Sequence, residues 1–342
     1  MTNYLKSPAE LKKELPLSLA AKILLKQTKE QVQAIFNNSS DKKILLIGPC
    51  SIHSLEGAIE YAKMLESLQA KVHDKILILM RVHIEKPRTR NSWRGFACDP
   101  SLDGSYEIQK GIELSRSLML SILELGLPIT SEILDPLLSP YFDDLLSVGI
   151  IGARTVSSPI HRILASDLNF PSGFKNRIDG DINSAIEAIK IAQESHQFLG
   201  SDETGRLSIK NSPGNPNLFL VLRGGEDRTN YQKSFVLESA EKLKSNNLPV
   251  NILIDCSHGN KRFSSQEAVF SQVVEELLND LTPIKGMILE SYLSGGRFVR
   301  EDIKNAPRNL SITDECLSFQ KTEELVLNFY SKLIKSNHSL CL

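Results

Sequence analysis

The sequence has almost no net charge and no long apolar run. Its 342 residues include 40 Lys and Arg against 41 Asp and Glu, which gives a formal net charge of −1. This balance excludes a generally basic chain that coats nucleic acid, so we expect no nucleic-acid partner. No apolar stretch reaches the ~18 residues that a membrane-spanning helix requires. We therefore expect no membrane segment.

Cysteine pairs and a secretion signal are also missing. The five cysteines are scattered and odd in number, and no two of them form a CxxC motif. The N-terminal segment is polar and rich in lysine, without the uninterrupted apolar core of a signal peptide. Both features are typical of proteins kept in a reducing compartment. The sequence therefore predicts a cytoplasmic protein without disulfides.

Three widespread catalytic motifs are absent as well. The chain contains no GxGxxG fingerprint, no Walker A loop and no GxSxG elbow. Their absence argues against a Rossmann dinucleotide site, a P-loop nucleotide site and a serine hydrolase triad.

What the sequence does contain is a regular alternation of short apolar runs with longer amphipathic segments. The apolar runs read as strands at 43–49, 75–82, 127–133, 149–155, 170–176, 217–225, 250–259 and 286–291. Strands that alternate with helices predict an α/β fold with a parallel sheet and right-handed crossovers. Eight such units favour a closed (β/α)8 TIM barrel, and a doubly wound open sheet is the alternative.

Two segments lie outside this alternation. Residues 1–40 form an N-terminal extension with helical character. Residues 197–217 are rich in Gly, Ser, Asn and Pro, which predicts a β-hairpin or long loop inserted before the sixth strand. The predicted domains are therefore an N-terminal arm at 1–40 and a catalytic barrel at 41–342 that carries the insert.

Charged or reactive side chains stand at the C-terminal end of each predicted strand, the rim that carries the active site in a TIM barrel. One group is cationic: Arg81, Lys86, Arg88, Arg154, Lys175 and Arg223. Converging cations repel one another unless an anion is bound, and Arg and Lys suit phosphate and carboxylate groups. The pattern predicts a substrate with more than one anionic group. Pairing with surface carboxylates is the alternative; it is favoured for Arg90 but not for Arg81 or Arg154, which abut buried runs.

A second group has the side chains of a metal site. Its members are Cys50, His258, Glu290 and Asp314. A thiolate, an imidazole and two carboxylates suit Mn, Fe, Co or Zn better than Mg or Ca. The long spacings match no local metal motif, so Cys50 as a small core residue and His258 as a turn residue remain alternatives. The other histidines, His83 among them, are assigned structural or surface roles.

Nine short motifs give the chain a family resemblance. It resembles the type I 3-deoxy-D-arabino-heptulosonate 7-phosphate (DAHP) synthases, which open the shikimate pathway, over nearly its whole length. The motifs are GPCSIHS (48–54), MRVHIEKPRTR (80–90), WRGFACDPSLDGS (93–105), IGART (151–155), GFKN (173–176), LRGG (222–225), DCSHGN (255–260), LES (289–291) and SITD (311–314).

The resemblance implies a transferase, 3-deoxy-7-phosphoheptulonate synthase. It would condense phosphoenolpyruvate with erythrose 4-phosphate and water, giving DAHP and phosphate on the route to chorismate and the aromatic amino acids. By position, the divalent metal ligands would be Cys50, His258, Glu290 and Asp314. The phosphoenolpyruvate site would contain Arg81, Lys86, Glu132, Arg154, Lys175 and Arg223, and the erythrose 4-phosphate end would meet Arg88 and Thr89.

Roles and regulation follow from the same resemblance. Lys86, partly deprotonatable among the cations, is the expected proton donor to the aldehyde oxygen, and Cys50 and His258 complete the catalytic set. Family members form an aromatic amino acid pocket from the arm and the insert, in which a Gly at one position accompanies tyrosine. Gly200 stands there in this chain. We therefore expect inhibition by L-tyrosine and a homo-oligomer, a dimer or a tetramer.

The chain departs from the family pattern at several points. It has ESYLSGGRF (290–298) in place of ES-x-x-x-EGNQ, Arg94 in SWRG in place of a Lys, NLSITD in place of GKSITD, and Ser-Pro-Tyr at 139–141 in place of Pro-Gln-Tyr. One alternative function is a related synthase that uses arabinose 5-phosphate, which would be expected to differ at the intact KPRT of 86–89. Another is a barrel that binds phosphometabolites without catalysis, against which the four retained ligand types argue.

Overall fold

A computed structural model describes residues 4–87, 92–279, 282–299 and 303–339. Its strands are β1 (Lys43–Gly48), β2 (Ile76–Arg81), β3 (Ile129–Glu132), β4 (Val148–Ile151), β5 (Ser172–Lys175), β6 (His196–Ser201), β7 (Leu207–Ser212), β8 (Leu218–Leu222), β9 (Ile252–Asp255), β10 (Ile284–Tyr292) and β11 (Leu317–Ser318). The sheet order is β1-β2-β3-β4-β5-β8-β9-β10, and β10 pairs again with β1 in parallel. This closed ring of eight parallel strands confirms the predicted TIM barrel.

Helices join consecutive barrel strands, as the amphipathic segments predict, and further helices precede the first strand and follow the last. They are α1 (Pro8–Glu14), α2 (Leu19–Phe36), α3 (Leu55–Val72), α4 (Ile108–Glu124), α5 (Ser139–Phe142), α6 (Pro159–Asp167), α7 (Asn183–Gln193), α8 (Lys233–Ser245), α9 (Gln266–Leu278) and α10 (Phe319–Ser339). The segment after β3 is the exception to the pattern, because the expected long helix is reduced to α5 and the 3-10 turn Asp143–Leu145. Pro136 and Pro140 account for the difference, since proline interrupts a helix interior.

Alternate residues of the barrel strands fill the barrel interior. Ile44, Leu46, Leu77, Leu79, Val148, Ile150, Phe219, Val221, Leu253 and Ile288 belong to one buried apolar cluster. Their strand neighbours belong to a second cluster, shared with the surrounding helices. This two-residue alternation is the pattern expected of a barrel whose interior is packed and whose outer face is covered.

Helix α2 packs against the N-terminal end of the barrel. Its residues Val32, Ile35 and Phe36 are part of the interior cluster, and the rings of Phe36 and Phe219 lie 5.3 Å apart. Gly173 leaves the space that Phe219 fills, since a Cβ there would come within 2.3 Å of the Phe219 ring. The second half of the N-terminal extension therefore shares the barrel core.

The predicted insert before the sixth barrel strand is a β-hairpin. Strands β6 and β7 pair antiparallel from His196↔Ser212 to Ser201↔Leu207. Asp202 Oδ1 accepts hydrogen bonds from the backbone of Thr204 and Arg206, and Gly205 takes a left-handed φ of 78° that a tight turn favours.

Helix α1 connects this hairpin to the segment after β3. Its N-terminus has a capping box in which Ser7 and Glu10 bond each other's backbone. Lys12 pairs with Asp143 at 2.9 Å and with Glu203 in the hairpin turn at 3.0 Å. The arm therefore touches two segments that are remote in the sequence.

A buried arginine holds the same region together. Arg116 on α4 is fully buried and makes a bidentate pair with Asp144, at 2.7 Å for each bond. The Arg116 guanidinium also donates to the carbonyls of Leu15 and Tyr141.

Of the helices in the described ranges, none combines the length and apolar character that would let it cross a membrane.

Candidate active site

A cavity of about 510 Å³ opens at the C-terminal ends of the barrel strands. Among the side chains that line it are predicted site residues from several strands: Lys86, Glu132, Arg154, Lys175, Arg223, His258, Glu290 and Asp314. Cys50 and Arg81 are buried and contact members of this set. The structure therefore brings the predicted residues together, except Arg88 and Thr89, which lie outside the described ranges.

The candidate metal ligands meet where the first and last barrel strands pair. Gly48 of β1 is in register with Glu290 of β10, which places Cys50 beside the Glu290 carboxylate. One donor atom from each of Cys50, Glu290 and Asp314 lies within 4.8 Å of the others, and Cys50 Sγ is 3.3 Å from Asp314 Oδ2. Parallel pairing of β1 with β10 thus assembles donors from the two ends of the chain.

The fourth candidate ligand, His258, lies beside a buried carboxylate. Its Nδ1 lies 2.9 Å from Asp255 Oδ2, and its Nε2 lies 3.7 Å from Glu290 Oε1. Among the described residues, His258 stays outside the group of donor atoms that lie within 4.8 Å of one another, and Nε2 is its ring nitrogen that faces Glu290. A histidine whose Nδ1 faces a carboxylate commonly binds a metal through Nε2. His258 also has a left-handed φ of 51°, an uncommon backbone conformation outside glycine that often marks functional sites.

This donor set fits a divalent transition metal ion. Burial and the charge of Glu290 raise the pKa of the Cys50 thiol to about 11, against the opposing effect of Lys86. A cation at this position would favour the thiolate, because a coordinated thiol is deprotonated. Glu290 is already prepared as a ligand, since His258 and Arg81 lower its pKa below the ordinary range although burial acts in the opposite direction.

Glu290 is the most heavily bonded of these carboxylates. Arg81 Nη2 lies 3.2 Å from Oε1, and the Ser257 hydroxyl donates to Oε2 at 2.5 Å. The Gln266 side chain accepts from the Glu290 backbone N–H and donates to its carbonyl. Such partners hold a ligand in one orientation, which increases metal affinity. Arg81 is therefore paired with Glu290 rather than free at the rim.

Lys86 lies near the Cys50 thiol and the carboxylates of Glu290 and Glu132, whereas the next charged residues in the sequence are cations. Its Nζ lies 3.0 Å from the Cys50 carbonyl and 3.1 Å from Cys50 Sγ. Burial alone would lower the pKa of Lys86, but Cys50, Glu290 and Glu132 together raise it above the ordinary value. This direction does not favour the partly deprotonated amine expected from the sequence, and a protonated Lys86 suits a proton donor.

The cations that line this cavity across the barrel from the metal donors, here called the far side of the mouth cavity, differ in exposure to solvent. Lys175 is buried and pairs with Asp255 at 2.8 Å, whereas Arg223 is half-buried and Arg154 is exposed. Arg154 comes three residues after β4 ends, so it stands on the rim rather than in the strand. Burial lowers the pKa of Arg223, and the charge of Arg154 adds to this effect. An anion bound between them would offset that repulsion.

Glu132 lies over Gly152 on the same rim. A Cβ built on Gly152 would be 2.2 Å from Glu132 Oε1. The absence of a side chain at position 152 therefore determines where the carboxylate can lie. Because Gly152 begins the turn that leads to Arg154, this contact links the carboxylate to the cation cluster.

Sequence reasoning missed several polar residues of the site. Asp255 received no role, although a carboxylate at a strand end three residues before a histidine is a recognisable signal. Lys261, Arg297 and Glu315 also line the mouth cavity. They lie in loops, where side-chain direction has no sequence period to reveal it.

His83 is a further missed residue, because it was assigned a structural role. Leu77 and Leu79 face the barrel interior and Arg81 continues that alternation, which directs His83 inward as well. The side chain is 3% exposed, and its Nε2 has no hydrogen-bond partner in the described part of the chain. Burial and the nearby Arg81 lower the pKa of His83 well below the ordinary value.

Comparison with known proteins gives the same family as the motifs. A sequence model described as the DAHP synthetase I family matches residues 23–327. A tyrosine-inhibited phospho-2-dehydro-3-deoxyheptonate aldolase of Schizosaccharomyces pombe is 38% identical over 95% of this chain and 89% of its own length. A Trp-sensitive aldolase of the same name from Enterobacter agglomerans is 39% identical over 94% and 92%.

A solved structure agrees with these sequence relatives. The phospho-2-dehydro-3-deoxyheptonate aldolase of Francisella tularensis SCHU S4 superimposes with a TM-score of 0.94 at 36% identity, covering 97% of both chains. The resemblance carried by the nine motifs is thereby confirmed. The chain belongs to the DAHP synthetase I family, a family of transferases.

Proposed function

We propose that the protein condenses phosphoenolpyruvate with erythrose 4-phosphate and water to give DAHP and inorganic phosphate. One observation supports the proposal: Arg154, Lys175 and Arg223 line the same mouth cavity as Glu290 and Asp314, whose donor atoms lie within 4.8 Å of the buried Cys50 thiol. Such a cavity can hold an anionic enol beside an electrophile. The names of the curated relatives support the same reaction and the first step of the shikimate pathway.

Phosphoenolpyruvate would bind on the side formed by β4, β5 and β8. Arg154, Lys175 and Arg223 project from the ends of these neighbouring strands. Guanidinium groups pair bidentately with phosphate and carboxylate, and an ammonium acts as a point charge. These cations would hold the substrate and stabilise the phosphate as it leaves.

Cys50, His258, Glu290 and Asp314 would hold a divalent ion, Mn, Fe, Co or Zn. A Lewis acid bound there would polarise the aldehyde oxygen. Lys86 lies 3.1 Å from Cys50 Sγ, and its protonated form would donate a proton to that oxygen as the carbon–carbon bond forms. Water then adds to C2 of the former enol, and phosphate leaves with cleavage of the C–O bond.

The test is a discontinuous assay of phosphoenolpyruvate consumption and phosphate release. We expect turnover with erythrose 4-phosphate and Mn, no turnover after chelation, and recovery when Mn or Co is restored. Faster turnover with arabinose 5-phosphate would identify the related synthase. Phosphoenolpyruvate binding without turnover on any aldose phosphate would identify a barrel that has lost catalysis.

We also propose feedback inhibition by an aromatic amino acid, with tyrosine preferred. A separate cavity of about 160 Å³ is lined by Phe198 and Gly200 of the hairpin and by Asp143 after α5. Lys12 of the arm contacts Asp143 and the hairpin turn, so the arm is placed to sense an occupant. The named relatives include tyrosine-inhibited and Trp-sensitive forms, so similarity alone does not select the effector.

Gly200 provides the test of effector choice. A Cβ at this position would approach Lys210 Cδ to 2.8 Å, and Lys210 pairs with Asp167 at 2.7 Å across the cavity. We expect tyrosine to inhibit more strongly than phenylalanine or tryptophan, and Gly200→Ser to weaken tyrosine inhibition. Stronger inhibition of the parent protein by phenylalanine would refute the argument.

A cytoplasmic location and assembly as a dimer or tetramer stay predictions.

A further inference from the structure

Arg297 lines the mouth cavity although it lies in the loop where this chain departs most from the family pattern. It belongs to ESYLSGGRF, five residues after β10 ends, and its side chain is exposed to the cavity. The resemblance assigns it no role.

The backbone around Arg297 is fastened to the segment that carries Asp314. Arg297 forms a parallel bridge with Ser311, and the Phe298 N–H donates to the Ser311 carbonyl at 2.7 Å. The Gly296 N–H donates to the Cys316 carbonyl at 2.8 Å on the other side. Because these contacts flank Asp314, the guanidinium is tied to the metal-donor side of the mouth.

The charge of Arg297 has no structural partner in the described ranges. The other cations deep in the mouth are paired there, Arg81 with Glu290 and Lys175 with Asp255. No carboxylate that the structure describes lies within 4.0 Å of the Arg297 guanidinium. An arginine held in place beside a cavity without a carboxylate partner remains available for an anionic ligand.

The position of Arg297 indicates which of the two substrate phosphates it would bind in the proposed reaction. Arg154, Lys175 and Arg223 lie at or just after the ends of β4, β5 and β8, whereas Cys50 and Glu290 lie at the ends of β1 and β10 across the barrel. An aldehyde at the metal donors would extend its far end toward the donor side of the rim. The backbone of Arg297 is attached to that side through its bridge with Ser311.

We propose that Arg297, fastened beside Asp314 at the edge of the mouth cavity, binds the terminal phosphate of the aldose phosphate and sets the preference for a phosphorylated aldehyde. This inference rests on the proposed condensation. It adds a contact to those expected from Arg88 and Thr89. The planar guanidinium can form two parallel hydrogen bonds to one phosphate, which a lysine cannot reproduce.

The experiment compares Arg297→Gln with the parent protein in steady-state kinetics, varying each substrate in turn. Loss of a charge-assisted contact should raise KM for erythrose 4-phosphate about tenfold or more. KM for phosphoenolpyruvate should stay nearly unchanged. With unphosphorylated erythrose the two proteins should be equal, and Arg297→Lys should fall between them with erythrose 4-phosphate.

The matched control is Arg308→Gln. Arg308 is an exposed arginine close to Arg297 in the sequence, and it pairs with Glu56 at 3.0 Å and Glu60 at 3.2 Å rather than facing the cavity. Unchanged KM for erythrose 4-phosphate in Arg297→Gln, or an equal rise for both substrates, would overturn the inference. Absence of erythrose 4-phosphate turnover in the parent protein would instead contradict the proposed function. Thermal unfolding of each variant confirms that it is folded.

Discussion

At the scale of single residues, a methyl group on Gly152 would collide with the carboxylate of Glu132, a predicted substrate-binding residue. The Gly152 backbone is not in the left-handed region, so alanine there causes no conformational strain. The close atom is Glu132 Oε1, the end of a side chain that can rotate away. A substitution should therefore disturb the site rather than the fold.

We predict that Gly152→Ala lowers kcat/KM for phosphoenolpyruvate by about a hundredfold, the effect of an ångström-scale displacement of a positioned group. The midpoint of thermal unfolding should stay close to that of the parent protein. Steady-state kinetics and a thermal melt measure the two quantities. Parent-like kinetics would show that Glu132 does not take part in the reaction.

A second prediction concerns Asp255, which contacts both Lys175 and His258. Asp255→Asn keeps the shape but removes the charge that orients the imidazole, so metal affinity should fall about 10- to 100-fold. Competition titration with a chromophoric chelator measures this directly. Asp179→Asn is the control, because Asp179 pairs with Arg177 at 2.8 Å on the surface. Equal metal affinity in both variants would remove the assigned role.

At the scale of elements, helix α2 closes the barrel although it precedes the first strand. Phe36 is only 7% exposed and packs against Phe219, whereas Ile23 on the same helix is 48% exposed. A deletion that removes the whole extension would therefore open the barrel interior to water. Any test of the arm in regulation should stop before α2, for example by removing residues 1–17.

We predict that Phe36→Ala lowers the free energy of unfolding by about 3 kcal/mol, since it leaves a cavity at the barrel end. Ile23→Ala on the exposed face of α2 should change it by no more than about 0.5 kcal/mol. Urea denaturation followed by far-UV circular dichroism gives both values. Equal effects of the two substitutions would show that α2 does not seal the barrel.

The architecture followed from the sequence, but several side-chain environments did not. Burial makes each strand an apolar run, and the carboxyl ends of parallel strands share one rim, so the positions of Lys175 and Glu290 could be predicted. The raised pKa of Lys86 could not, because its anionic neighbours come from other strands. The inward direction of His83 became visible only once the barrel closed.

At the scale of the whole molecule, the hairpin presents an apolar outer face. Leu199, Leu207 and Ile209 are 74%, 78% and 66% exposed and share one side of the β6–β7 ribbon. Exposed apolar clusters of this kind mark association surfaces. We predict that the protein sediments as a homo-oligomer and that the pair Leu199→Gln and Ile209→Gln shifts it to a smaller species. A monomeric parent protein would contradict the prediction.

The parallel pairing of β1 with β10 determines when the metal donors come together during synthesis of the protein. Cys50 and Asp314 are in contact but lie 264 positions apart in the chain. The ribosome therefore synthesises Cys50 long before Asp314. The complete set of metal donors does not exist until the last barrel strand has paired with β1. Contacts of such separation form late, because the closing loop is long. An ion bound by these donors would link the segments that follow β1 and β10 in the closed barrel. We therefore expect metal loading to follow translation rather than accompany it.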